Sequence, residues 1–261
     1  MIFLMIFYFI LGICIGSFSN VLIYRLPESK SINFPASHCQ SCLTPLKFYH
    51  NVPLFSWIFL GGKCAFCKSK ISVQYPLVEL AGGLLMVLAF YKEVNGFDYF
   101  ELLKAFFIGV LFIVLLAMSI IDFRYKGAPD LLLNTAVVLS LLYAFSFEGI
   151  KNALIFAAIF YALRFLLSKY KKQEAMGLAD VYIFACMGAV LGLNLGFVSI
   201  FIGAVLTIPA YAIVAKKDYE LPFIPFLAAG LFVVWLFDDW FLEVLKFINN
   251  FVLDLYGIPH G

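Results

Sequence analysis

Two aspartates, Asp122 and Asp180, are the acids best placed for chemistry in a chain that is otherwise strongly apolar. Asp122 follows one long apolar run and Asp180 opens another. Two carboxylates at short range share a proton, because both cannot easily be ionised together. One can then act as general base on water while the other, protonated, donates to a peptide carbonyl. We therefore predict a catalytic aspartate pair, without assigning base and acid, because coupled groups titrate together.

Each aspartate also has a simpler interpretation. Asp180 is suited to complement the macrodipole at the N-terminus of a helix. Asp122 is suited to be an interfacial acid paired with Arg124. Ionisable residues on membrane helices usually serve a function, however. The chain also contains neither a Gly-x-Ser-x-Gly nor an HExxH motif that would suggest another hydrolytic site.

Four cysteines form two CxxC pairs with 21 residues between the pairs. Each pair can present two thiolates from a tight turn, and two pairs complete a closed tetrahedral zinc site. The other interpretation is redox-active or surface thiols. His38 and His50 are expected not to be ligands, because four thiolates already fill a tetrahedron. The predicted ligands are Cys39, Cys42, Cys64 and Cys67.

The elements that carry these residues are predicted to be membrane-spanning helices. The chain has 261 residues, of which 64% are hydrophobic and 13% charged, and its mean hydropathy is +1.00. Apolar runs of roughly 20 residues indicate transmembrane helices, and no strand alternation typical of a barrel occurs. We predict an all-α, polytopic membrane protein with about eight spans, the first retained rather than cleaved. The runs cover about 2–24, 76–91, 102–121, 131–147, 152–168, 180–194, 196–215 and 222–246.

Basic residues predict the orientation of these spans. The segment 25–75 contains six Lys or Arg residues and one acid, so it should be cytoplasmic. The later basic loops fall on the same side, which places both aspartates at the cytoplasmic boundary and both termini outside. We divide the chain into a first span (1–24), a cytoplasmic four-cysteine loop (25–75) and a membrane domain (76–261) with a peptidase core at about 102–215. Nothing suggests a nucleic-acid partner.

Other charged residues have structural interpretations. We expect Asp130 to cap the fourth span and Glu79 to complement the start of the second, with a polar role at the cytoplasmic side as the alternative for Glu79. Arg164 is expected to extend to the headgroups. Asp238, Asp239 and Glu243 are expected to lie exposed at the interface near the outer end of the last span.

The chain resembles the type IV prepilin peptidases, also called leader peptidase/N-methyltransferases. The resemblance implies an aspartic protease of the bacterial inner membrane. Such an enzyme removes the basic leader of type IV prepilins or type II secretion pseudopilins and then methylates the new N-terminus with S-adenosylmethionine. Asp122 and Asp180 match the catalytic aspartates, and the four cysteines match the zinc-binding loop associated with methylation. The motifs that carry the resemblance lie at 16–27, 39–42, 51–57, 64–67, 71–79, 121–122, 129–130 and 176–180, followed by Gly188 and 191–192.

Two positions depart from the family pattern. Ala179 stands where the family usually has the second Gly of Gly-x-Gly-Asp, and Ala lacks the conformational freedom of Gly. Tyr182 stands where a Lys is frequent. No Gly-rich cofactor loop is present, so contacts to S-adenosylmethionine cannot be named from the sequence.

Two alternatives remain at this stage. A transporter or channel would also use paired intramembrane acids, although a conduction path favours acids near the midplane. A peptidase without methyltransferase activity would use the cysteine loop only to dock its substrate.

Overall fold

The computed structural model of the protein describes residues 1–96, 98–172, 176–214 and 221–255. These ranges contain nine α-helices, a short 3-10 helix at Phe48–His50 and no strands beyond isolated bridges. The chain forms two compact units, Met1–Tyr143 and Ala144–Gly261. The helices are α1 (Ile2–Arg25), α2 (Phe55–Phe59), α3 (Gln74–Glu93), α4 (Tyr99–Tyr125), α5 (Asp130–Ala144), α6 (Phe147–Lys171), α7 (Leu178–Val214), α8 (Ile224–Leu236) and α9 (Asp238–Leu255).

The all-helical membrane class is confirmed. Five of the helices in the described ranges are long and apolar enough to cross a membrane, namely α1, α3, α4, α6 and α7, or six spans if the bent pair α8–α9 counts as one. The difference from about eight spans has two causes. Helix α5 has only 15 residues, and α7 joins two of the expected spans.

The break inside α7 occurs at Gly192. Its φ of 72° and ψ of −170° interrupt the helix, and this conformation is open essentially only to glycine. The predicted boundary between the sixth and seventh spans, around 194–196, falls two residues beyond this break. The predicted end of the seventh span, residue 215, lies outside the described residues.

The prediction of one continuous helix over 222–246 is wrong. Helix α8 ends at Leu236, and α9 continues after a bend of 84°. Phe237 leaves the helical conformation, with φ −118° and ψ 31°. Asp238 then accepts the backbone N–H of Asp239 at 2.8 Å. Two adjacent acids are costly inside an apolar span, so the chain turns where they occur.

In the first unit, the backbones of α1 and α3 approach each other closely at two glycines of α1. A Cβ at Gly12 would lie 2.4 Å from the Gly82 carbonyl oxygen, and one at Gly16 would lie 2.8 Å from the Val78 carbonyl oxygen. The Gly12-x-x-x-Gly16 spacing is the small-residue pattern that lets membrane helices approach closely. Helix α1 is thereby held against the first half of α3.

In the second unit, α6 and α7 pack in the same manner. A Cβ at Gly188 would lie 2.7 Å from the Asn152 carbonyl oxygen, and one at Gly196 would lie 2.7 Å from the Phe156 ring. The Phe156 side chain is fully buried and therefore fills the space that these two glycines leave. This contact fixes α7 beside α6.

Candidate functional site

Asp122 lies in the last turns of α4 and is only 6% exposed. Arg124, which the sequence suggested as a partner for Asp122, donates a hydrogen bond to the Gln74 side chain at the first residue of α3. Because Gln74 directly follows the cysteine-rich segment, Asp122 lies at the end of the first unit where that segment is attached. The helix end that carries Asp122 and the start of α3 after the cysteine-rich segment therefore lie together in this unit.

Asp180 lies in the first turn of α7, in the second unit, and is 8% exposed. The chain before it is held by Arg164 of α6, whose Nε donates to the Met176 carbonyl oxygen at 3.0 Å. Arg164 therefore anchors the approach to Asp180. Ala179 lies inside α7 and is not among the positive-φ residues, so a glycine is not needed there.

Asp130 is the first residue of α5 and is exposed. The helix begins there as predicted, but the preceding Pro129 supplies the carbonyl that accepts the N–H groups of Leu132 and Leu133. An exposed acid in the first turn complements the helix dipole. The position of Asp130 therefore fits a structural role at the N-terminus of α5.

The four predicted cysteine ligands come together. The Sγ atoms of Cys39, Cys42, Cys64 and Cys67 all lie within 4.8 Å of one another. Four thiols at this range, contributed by two separate turns, have the donor set of a closed tetrahedral metal site.

The first cysteine turn is built by backbone hydrogen bonds to Cys39. Its N–H donates to the Thr44 carbonyl at 3.0 Å, and its carbonyl accepts the Leu43 N–H at 2.9 Å. The Ser41 N–H points at the Cys39 Sγ at 3.4 Å. Leu43 completes the turn with a φ of 56°.

The second turn repeats this arrangement around Cys64. Its N–H donates to the Ser69 carbonyl at 2.9 Å, and its carbonyl accepts the Lys68 N–H at 3.1 Å. The Phe66 N–H points at the Cys64 Sγ at 3.4 Å, and Lys68 has a φ of 58°. Two matching turns thus present matching thiol pairs, with backbone N–H groups directed at sulfur.

The thiol pKa values fit a cation between the two turns. Hydrogen bonds from the backbone N–H groups of Cys42 and then Ser41 lower the pKa of Cys39 to about 6. For Cys64, the N–H groups of Cys67 and Phe66 favour the thiolate, but burial and the neighbouring thiols outweigh them and raise the pKa. Crowded thiolates repel one another, and a divalent cation removes that conflict. The residues therefore fit a metal ion.

A cavity of about 670 Å³ lies between the cysteine turns and the ends of α1 and α3. Glu79 lines it and is only 7% exposed. Its Oε2 accepts the backbone N–H of Leu54 at 2.7 Å. Glu79 lies beyond the first turn of α3, which contains no acid, so the alternative of a polar role facing a cavity fits it better than a role at the helix start. The motif 71–79 contained this residue, but only the tertiary contacts reveal its surroundings.

Arg25 organises the start of the cysteine-rich segment. Its guanidinium donates to the carbonyl oxygens of Ser31 at 3.0 Å, Ile32 at 3.2 Å and Pro35 at 2.7 Å. On the sequence it was only one of the basic residues that predict orientation. Its buried side chain shapes one wall of the cavity.

Comparison with known proteins places these features in one family. Residues 10–93 match the bacterial peptidase A24 N-terminal domain, and residues 109–212 match the Type IV leader peptidase family. No solved structure matches the chain significantly.

Several curated proteins are similar over most of the chain. One is the "Type 4 prepilin-like proteins leader peptide-processing enzyme" of Escherichia coli O78:H11, 32% identical, which covers 84% of this chain and 88% of the relative. Another is the "Prepilin leader peptidase/N-methyltransferase" of Stutzerimonas stutzeri, which is also 32% identical. The match covers 88% of this chain and 89% of the relative. The protein of the same name from Myxococcus xanthus is 36% identical, covering 71% of this chain and 56% of the relative. With these similarities and the two matched domains in order, the chain belongs to the type IV leader peptidase family.

Proposed function

We propose that the protein cleaves the basic leader peptide from type IV prepilins or type II secretion pseudopilins and then N-methylates the new terminus. The observation that carries the proposal is the burial of Asp122 at the end of the first unit that bears the four-cysteine segment. Family membership supports this pair of activities rather than transport.

Asp122 and Asp180 act as the catalytic pair in this proposal. Both are buried near helix ends, which favours a shared proton between carboxylates that come close. One aspartate takes a proton from water and the other donates one to the carbonyl oxygen of the scissile peptide. Arg164 supports the second aspartate by holding Met176, four residues before it.

The protein is proposed to be a multi-pass protein of the bacterial inner membrane, surrounded by lipid, with its active site on the cytoplasmic side and both termini in the periplasm. The concentration of Lys and Arg in 25–75 supports this orientation.

The metal is proposed to be zinc, held by Cys39, Cys42, Cys64 and Cys67. Four thiolates select a soft or borderline metal in tetrahedral geometry and leave no open coordination position, so its role is structural. S-adenosylmethionine supplies the methyl group for the second reaction.

Mass spectrometry of a prepilin tests the proposal. The full-length protein in lipid nanodiscs is incubated with substrate, with and without S-adenosylmethionine. We expect loss of the leader in both reactions, and a further gain of one methyl group on the new N-terminus only with the donor. Cleavage without methylation would support the peptidase-only alternative. An intact prepilin in both reactions would overturn the peptidase.

A further inference from the structure

We propose that S-adenosylmethionine binds in the cavity lined by Glu79, with the Glu79 carboxylate facing the positively charged sulfur of the donor. This inference rests on the methyltransferase half of the proposed function and assigns its donor site. The cavity of about 670 Å³ lies within the usual range for small-molecule sites, roughly 300–1,000 Å³.

The lining of the cavity matches the chemistry of this ligand. Aromatic side chains are available to stack on the adenine ring or to face a cation, and they are Phe18, Tyr24, Trp57 and Tyr75. Glu79 supplies a carboxylate on the same surface. A ligand with an aromatic base and a cationic sulfur needs both kinds of group.

The burial of the Glu79 carboxylate indicates a cationic ligand. A buried carboxylate is costly unless hydrogen bonds or a positive charge compensate it. The backbone N–H of Leu54 provides one hydrogen bond, but no ion pair with Glu79 occurs in the described part of the chain. A carboxylate has about four acceptor positions, so capacity remains towards the cavity.

Backbone strain occurs at the same contact. Leu54 has a φ of 63° and a ψ of −55°, a conformation that is strained for a residue other than glycine and is found at ligand clamps. The hydrogen bond to Glu79 holds Leu54 in this conformation. One wall of the cavity is therefore fixed by the same carboxylate that faces the ligand.

His50 gives an independent indication of a ligand. It lines the cavity, and its Nδ1 is buried without a hydrogen-bond partner among the described residues. A buried polar atom of this kind calls for an explanation, and a polar group of a bound ligand is one. The His50 ring also packs edge-on against Phe66, 5.3 Å between centroids, which connects this wall to the second cysteine turn.

The charge balance of the reaction favours a carboxylate at this position. In the transfer, the lone pair of the substrate amine forms the N–C bond, and the methyl–sulfur bond breaks with its electron pair going to sulfur. The surplus N–H proton passes to water. Sulfur thereby loses its positive charge, so Glu79 should hold the donor more tightly than the product, which is neutral at sulfur.

The test compares the two ligands on the full-length protein in nanodiscs. Equilibrium binding of S-adenosylmethionine and of S-adenosylhomocysteine is measured for the wild type, Glu79→Gln and Glu93→Gln. Gln at position 79 keeps an acceptor for the Leu54 N–H and removes only the charge. Glu93 is the matched control, because it lies at the other end of α3 and accepts the Tyr143 hydroxyl.

We expect Glu79→Gln to weaken donor binding by about tenfold or more, to change product binding by less than about threefold, and to leave prepilin cleavage intact. Glu93→Gln should change the binding affinity of neither ligand. As a measurement that does not depend on the variants, ultraviolet cross-linking of labelled donor to the wild type should modify peptides within 14–25, 37–57, 60–65 or 69–79, which contain the cavity lining.

Either of two binding results would overturn the proposed donor site and leave the rest of the proposed function standing. One is undiminished binding of the donor to Glu79→Gln, and the other is an equal loss of affinity for the donor and the product. Cross-links confined to other parts of the chain would also overturn it. If the wild type bound no donor and did not methylate while still cleaving prepilin, the methyltransferase half of the proposed function would fall, and the site with it.

Discussion

Arg124 at the end of α4 donates a hydrogen bond to Gln74 at the start of α3. Gln74 in turn donates to the Asn20 side chain of α1 at 3.4 Å, and Asn20 donates to the Tyr75 carbonyl at 3.1 Å. This chain of contacts connects the end of the helix that carries Asp122 to the wall of the cavity. Asp122 and the residues proposed for methylation thus lie at one end of the first unit.

Replacing either proposed catalytic aspartate should abolish cleavage. We expect Asp122→Asn and Asp180→Asn each to slow leader removal by at least about 10²–10⁴-fold, since a neutral amide can neither accept nor share the proton. The measurement is the rate of mature pilin formation, with thermal unfolding as a check on folding. Asp98→Asn is the control, because Asp98 caps the other end of α4 through the Phe100 N–H and Asn caps equally well. Wild-type rates in either catalytic variant would refute the pair.

Removing one cysteine should remove the metal and separate the two activities. We expect the purified wild type to contain one zinc ion per chain by elemental mass spectrometry, and Cys39→Ser to contain almost none. Methyl transfer should be lost with the metal, because Cys39, Cys64 and Ser69 also line the cavity. Cleavage should persist. Cys186→Ala, at a buried position in α7, should keep its metal, and a metal-free wild type would contradict the assignment.

The metal-free protein should titrate one thiol near neutral pH. Because the pKa of Cys39 is lowered to about 6, its thiolate should form as the pH rises through that value. The folded state binds its proton less tightly than the unfolded chain does, so this group's contribution to stability is present at high pH and is lost as the pH falls through about 6. Thiolate absorbance after chelator treatment should show this step, and Cys39→Ser should lack it. A first step above pH 8 would contradict the prediction.

Adding a methyl group at Gly16 should loosen the contact between α1 and α3. The new Cβ would lie 2.8 Å from the Val78 carbonyl oxygen and 3.0 Å from the Glu79 Cα, both backbone atoms that cannot move without shifting a helix. We expect Gly16→Ala to lower the free energy of unfolding by about 1–3 kcal/mol and to weaken donor binding by displacing Glu79. The measurement is thermal unfolding in detergent together with ligand binding. Gly127→Ala, where a Cβ would meet nothing within 4 Å, should behave like the wild type.

Features that depend on local sequence were predictable, and features that depend on tertiary contacts were not. Each CxxC turn is closed within six residues, so the spacing alone indicated the cluster at Cys39 and Cys64. The bend at Phe237 was missed, although the adjacent acids Asp238 and Asp239 were a signal for it. The role of Glu79 depends on Leu54, which is 25 residues away in the chain. Hydropathy does not report such a contact.

The close approach of α1 and α3 was also missed, although its signal was present. Gly12 and Gly16 are spaced four residues apart, and Gly82 and Gly83 occur on the other helix. Small residues at this spacing are typical of closely packed membrane helices, so the sequence alone predicts that these two helices pack together. That pairing also places Glu79 beside Gly16, where the two backbones meet.

The glycine contact between α1 and α3 has a consequence for turnover. Helices that meet backbone to backbone have no layer of side chains whose rearrangement could let one slide along the other. The floor beneath Glu79 is therefore rigid, and a spent donor cannot escape through it. Ligand exchange at the proposed site must instead take place on the side of the cavity that residues 37–57 line.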